Sequence, residues 1–178
     1  HIRESIERSK YIFISHFHPD HLNLSSLRHC KNSTILLAQH YGSRIENELR
    51  NIGFKVITLP SSNWLSIGNN TRIMLFNNEQ QDSALIAELT DNSGQKSLVL
   101  NLNDSGAYGF EREVASISAK YKNSFYLQLH CWGDADMINL FDSEGKRIEP
   151  IAAKKFPVGR NIKAGMKRLN ANIAIPFS

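Results

Sequence analysis

The stretch Ile14-Ser15-His16-Phe17-His18-Pro19-Asp20-His21-Leu22-Asn23 decides how the rest of the chain is interpreted. It holds three of the seven histidines, and it follows the apolar run 11–14, which predicts a buried strand. In an extended backbone His16 and His18 point the same way, and Pro19-Asp20 favours a turn that returns Asp20 and His21 toward them. Imidazole and carboxylate together suit Zn²⁺, Mn²⁺ or Fe²⁺. An isolated loop histidine is seldom a ligand, but this cluster behind a strand predicts a metal site.

Short apolar runs and amphipathic segments alternate along the chain. Strands are predicted over 34–38 and 55–59, around a helix that begins at a Ser43-x-x-Glu46 capping box and ends at Gly53. Three strands follow over 72–76, 83–89 and 97–102, the last two joined by an Asn92-Ser93-Gly94 turn. A helix over 110–121, a strand over 125–129, a helix over 162–169 and a strand over 173–175 complete the pattern. This order predicts an α/β or α+β domain of sheets covered by helices.

The composition is typical of one globular domain spanning residues 1–178. Of the 178 residues, 41% are hydrophobic and 21% charged, which excludes a disordered, collagen-like or coiled-coil chain. No apolar run approaches the roughly 18 residues of a membrane span, and the first residues have no signal-peptide character. Two cysteines, Cys30 and Cys131, are too few for a disulfide framework. We therefore expect a reducing, cytoplasmic location.

Positive charge is concentrated toward the C-terminal end. The chain carries a net charge of +4, and the segment from Lys146 to Ser178 has eight basic residues against one acid, Glu149. This segment either attracts an anionic small molecule or is an ordinary solvated surface, and both interpretations stay open. Because only one aromatic residue, Phe156, lies among the basic ones, nucleic acid is not the expected partner. The sequence does not indicate an oligomeric state.

The histidine motif resembles the signature of the metallo-β-lactamase superfamily. The stretch Lys96 to Asp104 resembles the strand of that family that ends in a metal-bridging aspartate. Together with the run 82–86, it is similar to the branch that contains ascorbate-phosphate lactonase and the lactamase-like part of CMP-N-acetylneuraminate hydroxylase. The resemblance covers about Tyr11 to the end of the chain and implies an αββα sandwich. Since family members place several strands before the motif, we expect the domain to be incomplete at both ends.

The resemblance implies a role for each residue of the motif. His16 and His18 would hold a first metal ion, Asp20 and His21 a second, and Asp104 would bridge the two. One or two divalent ions would activate a water molecule, with zinc the expected metal and manganese or iron the alternatives. Asp20 would also carry the proton during catalysis.

The chain departs from the family pattern in the middle, where the family supplies one more histidine. No histidine lies between His40 and His130. Either Glu79 or Asp82 substitutes as an oxygen ligand, or the first site is weak or empty and one ion remains. His130, after the strand 125–129, is a possible additional ligand, a residue that lines the pocket, or a core histidine. Cys131 beside it is an adventitious ligand or a small buried apolar residue.

Three functions are compatible with these features. The first is a metal-dependent hydrolase that acts on an ester, lactone or phosphodiester in an anionic small-molecule substrate. The second is an iron-dependent oxidative enzyme of biosynthesis, which the resemblance and the reduced histidine count suggest. The third is a non-catalytic binding domain that retains a partial metal site. A serine hydrolase is not favoured, because the chain lacks a Gly-x-Ser-x-Gly elbow.

Overall fold

Strands alternate with helices at both ends of the chain and follow one another directly in the middle. The computed structural model describes residues 2–78, 80, 82–129, 140–148 and 157–177. The helices are α1 (Ile2–Glu7), α2 (Leu24–Leu27), α3 (Arg44–Asn51), α4 (Glu111–Ser118) and α5 (Val158–Leu169). The strands are β1 (Tyr11–Phe13), β2 (Thr34–Ala38), β3 (Lys55–Leu59), β4 (Leu65–Ser66), β5 (Thr71–Asn77), β6 (Ser83–Thr90), β7 (Lys96–Asn103), β8 (Asn123–Leu129), β9 (Leu140–Phe141), β10 (Arg147–Ile148) and β11 (Ile173–Phe177).

The first sheet is parallel, in the order β1-β2-β3. Alternate residues of β2 point to opposite faces, and Ile35 and Leu37 pack against Ile45 and Leu49 of α3. Gly53 ends α3 as predicted: its φ is +96°, which suits glycine, and its N–H donates to the Arg50 carbonyl oxygen. The chain therefore turns directly from α3 into β3.

The second sheet has the order β11-β8-β7-β6-β5-β4. Strands β4 to β7 are antiparallel neighbours, whereas β7, β8 and β11 run parallel. The predicted hairpin joins β6 to β7, and the Asp91 carboxylate accepts hydrogen bonds from the Ser93 and Gln95 N–H groups in its turn. One face of this sheet packs against α4 and α5, where Val114 and Leu169 are almost fully buried.

The two sheets pack on each other through a separate apolar core. Leu36 and Ala38 of β2 contact Ile73 and Leu75 of β5 in this layer. All four side chains are buried, so the order of the layers is fixed by apolar contacts on both faces of each sheet. The prediction of a mixed fold of sheets covered by helices is confirmed.

The predicted capping box at α3 is wrong. Ser43 has a φ of 49° in the left-handed region, and its side chain makes no capping hydrogen bond. A 3-10 turn over Tyr41–Ser43 precedes the helix and sets this backbone conformation. Glu46 instead pairs with Arg50 one turn later, at 2.9 Å between Oε1 and Nη2. In the part of the chain that the structure describes, no helix has the length and apolar character that crossing a membrane requires.

Candidate metal centre

The histidine loop leaves the end of β1 and is held in place at both ends. Ile14 continues the strand, since its N–H donates to the Leu36 carbonyl oxygen at 3.2 Å. The chain then turns back, with the His21 and Leu22 N–H groups both donating to the His18 carbonyl oxygen, at 2.9 and 2.7 Å. Asn23 begins α2 by accepting a hydrogen bond from the Ser26 N–H. A strand before and a short helix after the motif therefore fix the loop.

His16, His21 and Asp104 converge on one point. Each offers a ligand atom, and these atoms all lie within 4.8 Å of one another. The Asp104 Oδ2 atom is 3.2 Å from His21 Nε2 and 4.0 Å from His16 Nε2. Asp104 follows the last residue of β7, whereas the histidines follow β1, so the cluster forms where strands of the two sheets end side by side. Two imidazoles and a carboxylate at this spacing are a donor set that suits a divalent transition metal.

His18 and Asp20 lie at the edge of this cluster. The Nδ1 atom of His18 is 2.7 Å from Nε2 of His16, within hydrogen-bond distance. The Asp20 Oδ2 atom is 3.3 Å from His21 Nε2, and its side chain is 75% exposed. The structure thus brings all five predicted residues to one place, with His16 innermost and Asp20 facing solvent.

Burial is the main influence on the protonation state of the His16 ring, since His16 is only 1% exposed. Burial lowers the pKa of His16, and the neighbouring His21 and His18 lower it further. The carboxylates of Asp82 and Asp104 act in the opposite direction but do not cancel this effect. The ring is therefore neutral at neutral pH, which is the protonation state that a metal ligand needs.

The two residues proposed to replace the missing histidine are placed differently. The Asp82 Oδ1 atom lies 3.8 Å from Nδ1 of His16, which is the ring nitrogen that does not face Asp104. Asp82 is thus beside the cluster, on the far edge of the His16 ring. Glu79 lies outside the described residues, as do His130 and Cys131.

Three polar residues at the site were not predicted from the sequence. Asn103 Nδ2 lies 3.1 Å from His21 Nδ1 and 3.3 Å from Ser15 Oγ. Ser15 Oγ is in turn 3.0 Å from His16 Nδ1. The side chain of buried Asn78 accepts a hydrogen bond from the Asp82 N–H through Oδ1. Its Nδ2 group donates a hydrogen bond to the carbonyl oxygen of Ser105. A serine before the motif and a run of asparagines at strand ends were the only signals available.

His40 lies close to the site but outside the cluster. Its Nε2 atom is 3.2 Å from the Ser83 hydroxyl, so it joins the end of β2 to the start of β6. Burial lowers the pKa of His40, with Asp82 opposing the change. His40 therefore connects the two sheets and does not belong to the cluster.

A cavity of about 590 Å³ opens beside Asp104. Asn103 and Asp104 line one part of it, and Gln128 of β8 lines another. Asn161 and Arg168 also line the cavity from α5, where helical spacing places them on one face. Arg168 lies 3.8 Å from Glu111, measured between Nη1 and Oε2, so the cavity contains both a cation and an anion. Its volume is in the range of small-molecule sites.

Comparison with models of protein families and with curated proteins produced no match to this chain.

Proposed function

We propose that the protein is a metal-dependent hydrolase with the sandwich fold of the metallo-β-lactamase superfamily. The support for the fold is the order of the layers. Helix α3 packs on one face of the first sheet, whose other face packs on the second sheet, and α4 and α5 cover the far face. This is the αββα order that the sequence resemblance implies.

The observation that carries the proposed activity is the convergence of His16, His21 and Asp104. Their ligand atoms lie within 4.8 Å, although Asp104 is far from the histidines in sequence. These three residues would hold one divalent cation, and His18 would be the nearest additional nitrogen donor. Such a cation would lower the pKa of a bound water to near neutrality and polarise an acyl or phosphoryl oxygen.

The chain's own residues would supply proton transfer and substrate binding. The Asp20 carboxylate is exposed and contacts His21, so it is suited to pass a proton between the site and solvent. The cavity beside Asp104 would hold the substrate, with Gln128 and Asn161 as hydrogen-bonding groups and Arg168 as the partner of an anionic group. An ester, lactone or phosphodiester with a negative charge at one end fits these groups.

The test is hydrolysis of bis-p-nitrophenyl phosphate and of a p-nitrophenyl ester, with and without added Zn²⁺ or Mn²⁺. The wild type should hydrolyse at least one of them only when metal is present. Since a bound cation contributes several kcal/mol of charge stabilisation, Asp104→Ala should be slower by about 100-fold or more. His29→Ala is the matched control, because His29 is 53% exposed and lies outside the cluster. Equal rates in the wild type and in Asp104→Ala would refute the proposal.

A second candidate is favoured by the donor set itself. Two histidines and one carboxylate are the ligands of non-haem Fe(II) oxygenases, so an iron-dependent oxidative enzyme is the alternative. Metal analysis of protein purified without chelators, combined with oxygen consumption, separates the two. Bound iron and oxygen uptake favour the oxidative enzyme, whereas zinc or manganese with hydrolysis favours the first. A protein with no bound metal and no activity would instead be the binding domain.

A further inference from the structure

Asn103 adopts a backbone conformation that asparagine adopts only at some cost. Its φ is 50°, in the left-handed region, and it lies next to a register irregularity between β7 and β8. Glycine adopts this conformation without steric penalty, whereas a residue with a Cβ is strained there. Residues held in such backbone conformations are concentrated at functional sites, and Asn103 directly precedes Asp104 of the cluster.

The amide links the outer edges of the two clustered histidines. Asn103 Nδ2 lies 3.1 Å from His21 Nδ1 and 3.3 Å from Ser15 Oγ, and Ser15 Oγ lies 3.0 Å from His16 Nδ1. Both rings therefore have Nδ1 in this polar network. The Nε2 atom of His21 lies 3.2 Å from Asp104 Oδ2, whereas that of His16 lies 4.0 Å from it and 2.7 Å from His18 Nδ1. A ring nitrogen that is held by a hydrogen bond determines which nitrogen carries the hydrogen and how the ring is oriented.

We propose that Asn103 is a positioning residue that selects the tautomer of His21, and this rests on the proposed function. With its NH₂ group toward His21, the amide donates to Nδ1. The hydrogen of the neutral ring is then on Nε2, where the Asp104 and Asp20 carboxylates accept it at 3.2 and 3.3 Å. In this arrangement both ring nitrogens of His21 have a hydrogen-bond partner when no cation is bound.

A half-turn of the same amide gives the opposite tautomer. The carbonyl oxygen and the NH₂ group of asparagine are nearly equal in size, so Oδ1 fits where Nδ2 lies. It then accepts a hydrogen bond from Nδ1–H of His21 and from the Ser15 hydroxyl. The His21 Nε2 lone pair becomes free for a cation, next to Asp104. Asn103 would thus serve both states of the site, which neither a glycine nor an aspartate can do.

Three substitutions separate this role from a general effect on the fold. Asn103→Gly removes the amide and relieves the backbone strain, so the variant should fold. Asn103→Asp keeps an acceptor and removes the donor, which favours Nδ1–H on His21. Asn170→Gly is the matched control, because Asn170 has a φ of 52° at the end of α5 and its side chain bonds to Ala115, away from the cluster.

The first measurement uses metal-free protein and ¹⁵N-labelled histidine, with long-range ¹H–¹⁵N spectra recorded at alkaline pH. We expect Nε2–H on His21 in the wild type and in Asn170→Gly, Nδ1–H in Asn103→Asp, and a mixture in Asn103→Gly. An unchanged His21 spectrum in both Asn103 variants, or Nδ1–H in the metal-free wild type, would overturn the proposal.

The second measurement is Zn²⁺ affinity, by competition with a chromophoric chelator. Loss of an outer contact to a ligand histidine weakens metal binding by roughly 10- to 100-fold, so Asn103→Gly should show this loss. Asn103→Asp should bind Zn²⁺ at least as tightly as the wild type, and Asn170→Gly should match it. If no variant binds Zn²⁺, the proposed function fails, but the metal-free spectra still decide the role of Asn103.

Discussion

Acidification should lower the free energy of unfolding of the wild-type protein more than that of a Glu88→Gln variant, because the Glu88 carboxylate joins neighbouring strands of the second sheet. Its side chain is 5% exposed. It accepts hydrogen bonds from Arg72 of β5 at 2.8 Å, from Lys96 of β7 at 3.0 Å and from the Tyr121 hydroxyl. Burial alone raises the pKa of this carboxyl, but the three donors outweigh burial and lower the pKa from 4.5 to about 2.

The size of the effect follows from that pKa. A carboxyl whose pKa falls from 4.5 to about 2 on folding contributes roughly 3 kcal/mol to the free energy of unfolding. Arg72 and Lys96 are 38% and 53% exposed, so solvent screens part of this interaction and we expect about 2 kcal/mol. Because the folded-state pKa is the lower one, the contribution is complete above the unfolded-state pKa. It is lost as the pH falls through the range from 4.5 to about 2.

Urea unfolding followed by circular dichroism measures this directly, from pH 7 down to about 2.5. The difference in the free energy of unfolding between the wild type and Glu88→Gln should be constant near neutral pH. It should shrink by about 2 kcal/mol in acid, because glutamine does not titrate. Glu48→Gln, at an exposed position in α3, controls for the loss of one carboxyl. A wild-type-to-Glu88→Gln difference that stays the same across the whole pH range would refute the reasoning.

Two further outcomes are expected from thermal unfolding. Gly165→Ala should destabilise the protein by about 1–3 kcal/mol, because a Cβ at Gly165 would lie 2.8 Å from Cζ of buried Tyr126. Gly159→Ala in the same helix, with nothing within 4 Å of the added Cβ, should be neutral or slightly stabilising, and equal effects would contradict the packing argument. Zn²⁺ at about 100 times its dissociation constant should stabilise the wild type by ~2.7 kcal/mol, which raises Tm by roughly 5–10 °C. The same concentration should leave the Tm of Asp104→Ala nearly unchanged.

The strands and helices were predictable where a local pattern had no competitor. The β2 strand Thr34–Ala38 was predicted with its observed bounds, because the apolar run that forms it is bounded by polar residues. The turn at Asp91 was predictable for the same reason, since asparagine, serine and glycine follow it. The capping box at Ser43 failed because the preceding residue, Gly42, has a φ of 77° and belongs to a tight turn that reaches Ser43. A four-residue signature does not contain that information.

The residues of the candidate site likewise fall into those that a local pattern predicts and those that it does not. The residues from His16 to His21 are adjacent in sequence, so strand and turn geometry alone brought them together. Asp104 was predicted only through the family resemblance, since local pattern does not tell which distant strand end meets the loop. Asn103 and Ser15 were missed because their contact joins positions 88 residues apart. Their residue types are ordinary at strand ends, and only the pairing of the two sheets gives them a shared neighbour.

Polar side chains join the two sheets at the end that carries the candidate site, and some of their buried atoms have no hydrogen-bond partner. The Asn77 amide donates to the Gln39 carbonyl oxygen at 3.2 Å, and His40 bonds to Ser83, so polar contacts join the sheets at this end. Within the described ranges, His40 Nδ1, Asn77 Oδ1 and Asn101 Oδ1 are buried without a hydrogen-bond partner. Each such atom costs about 1–3 kcal/mol relative to a satisfied one. An end chosen for stability alone would hold apolar residues here, as the layer of Leu36 and Leu75 does. These atoms are not confined to this end, since Thr58 Oγ1 of β3 and Arg72 Nε of β5 are also buried without a partner in the described residues, so both sheets bear such a cost.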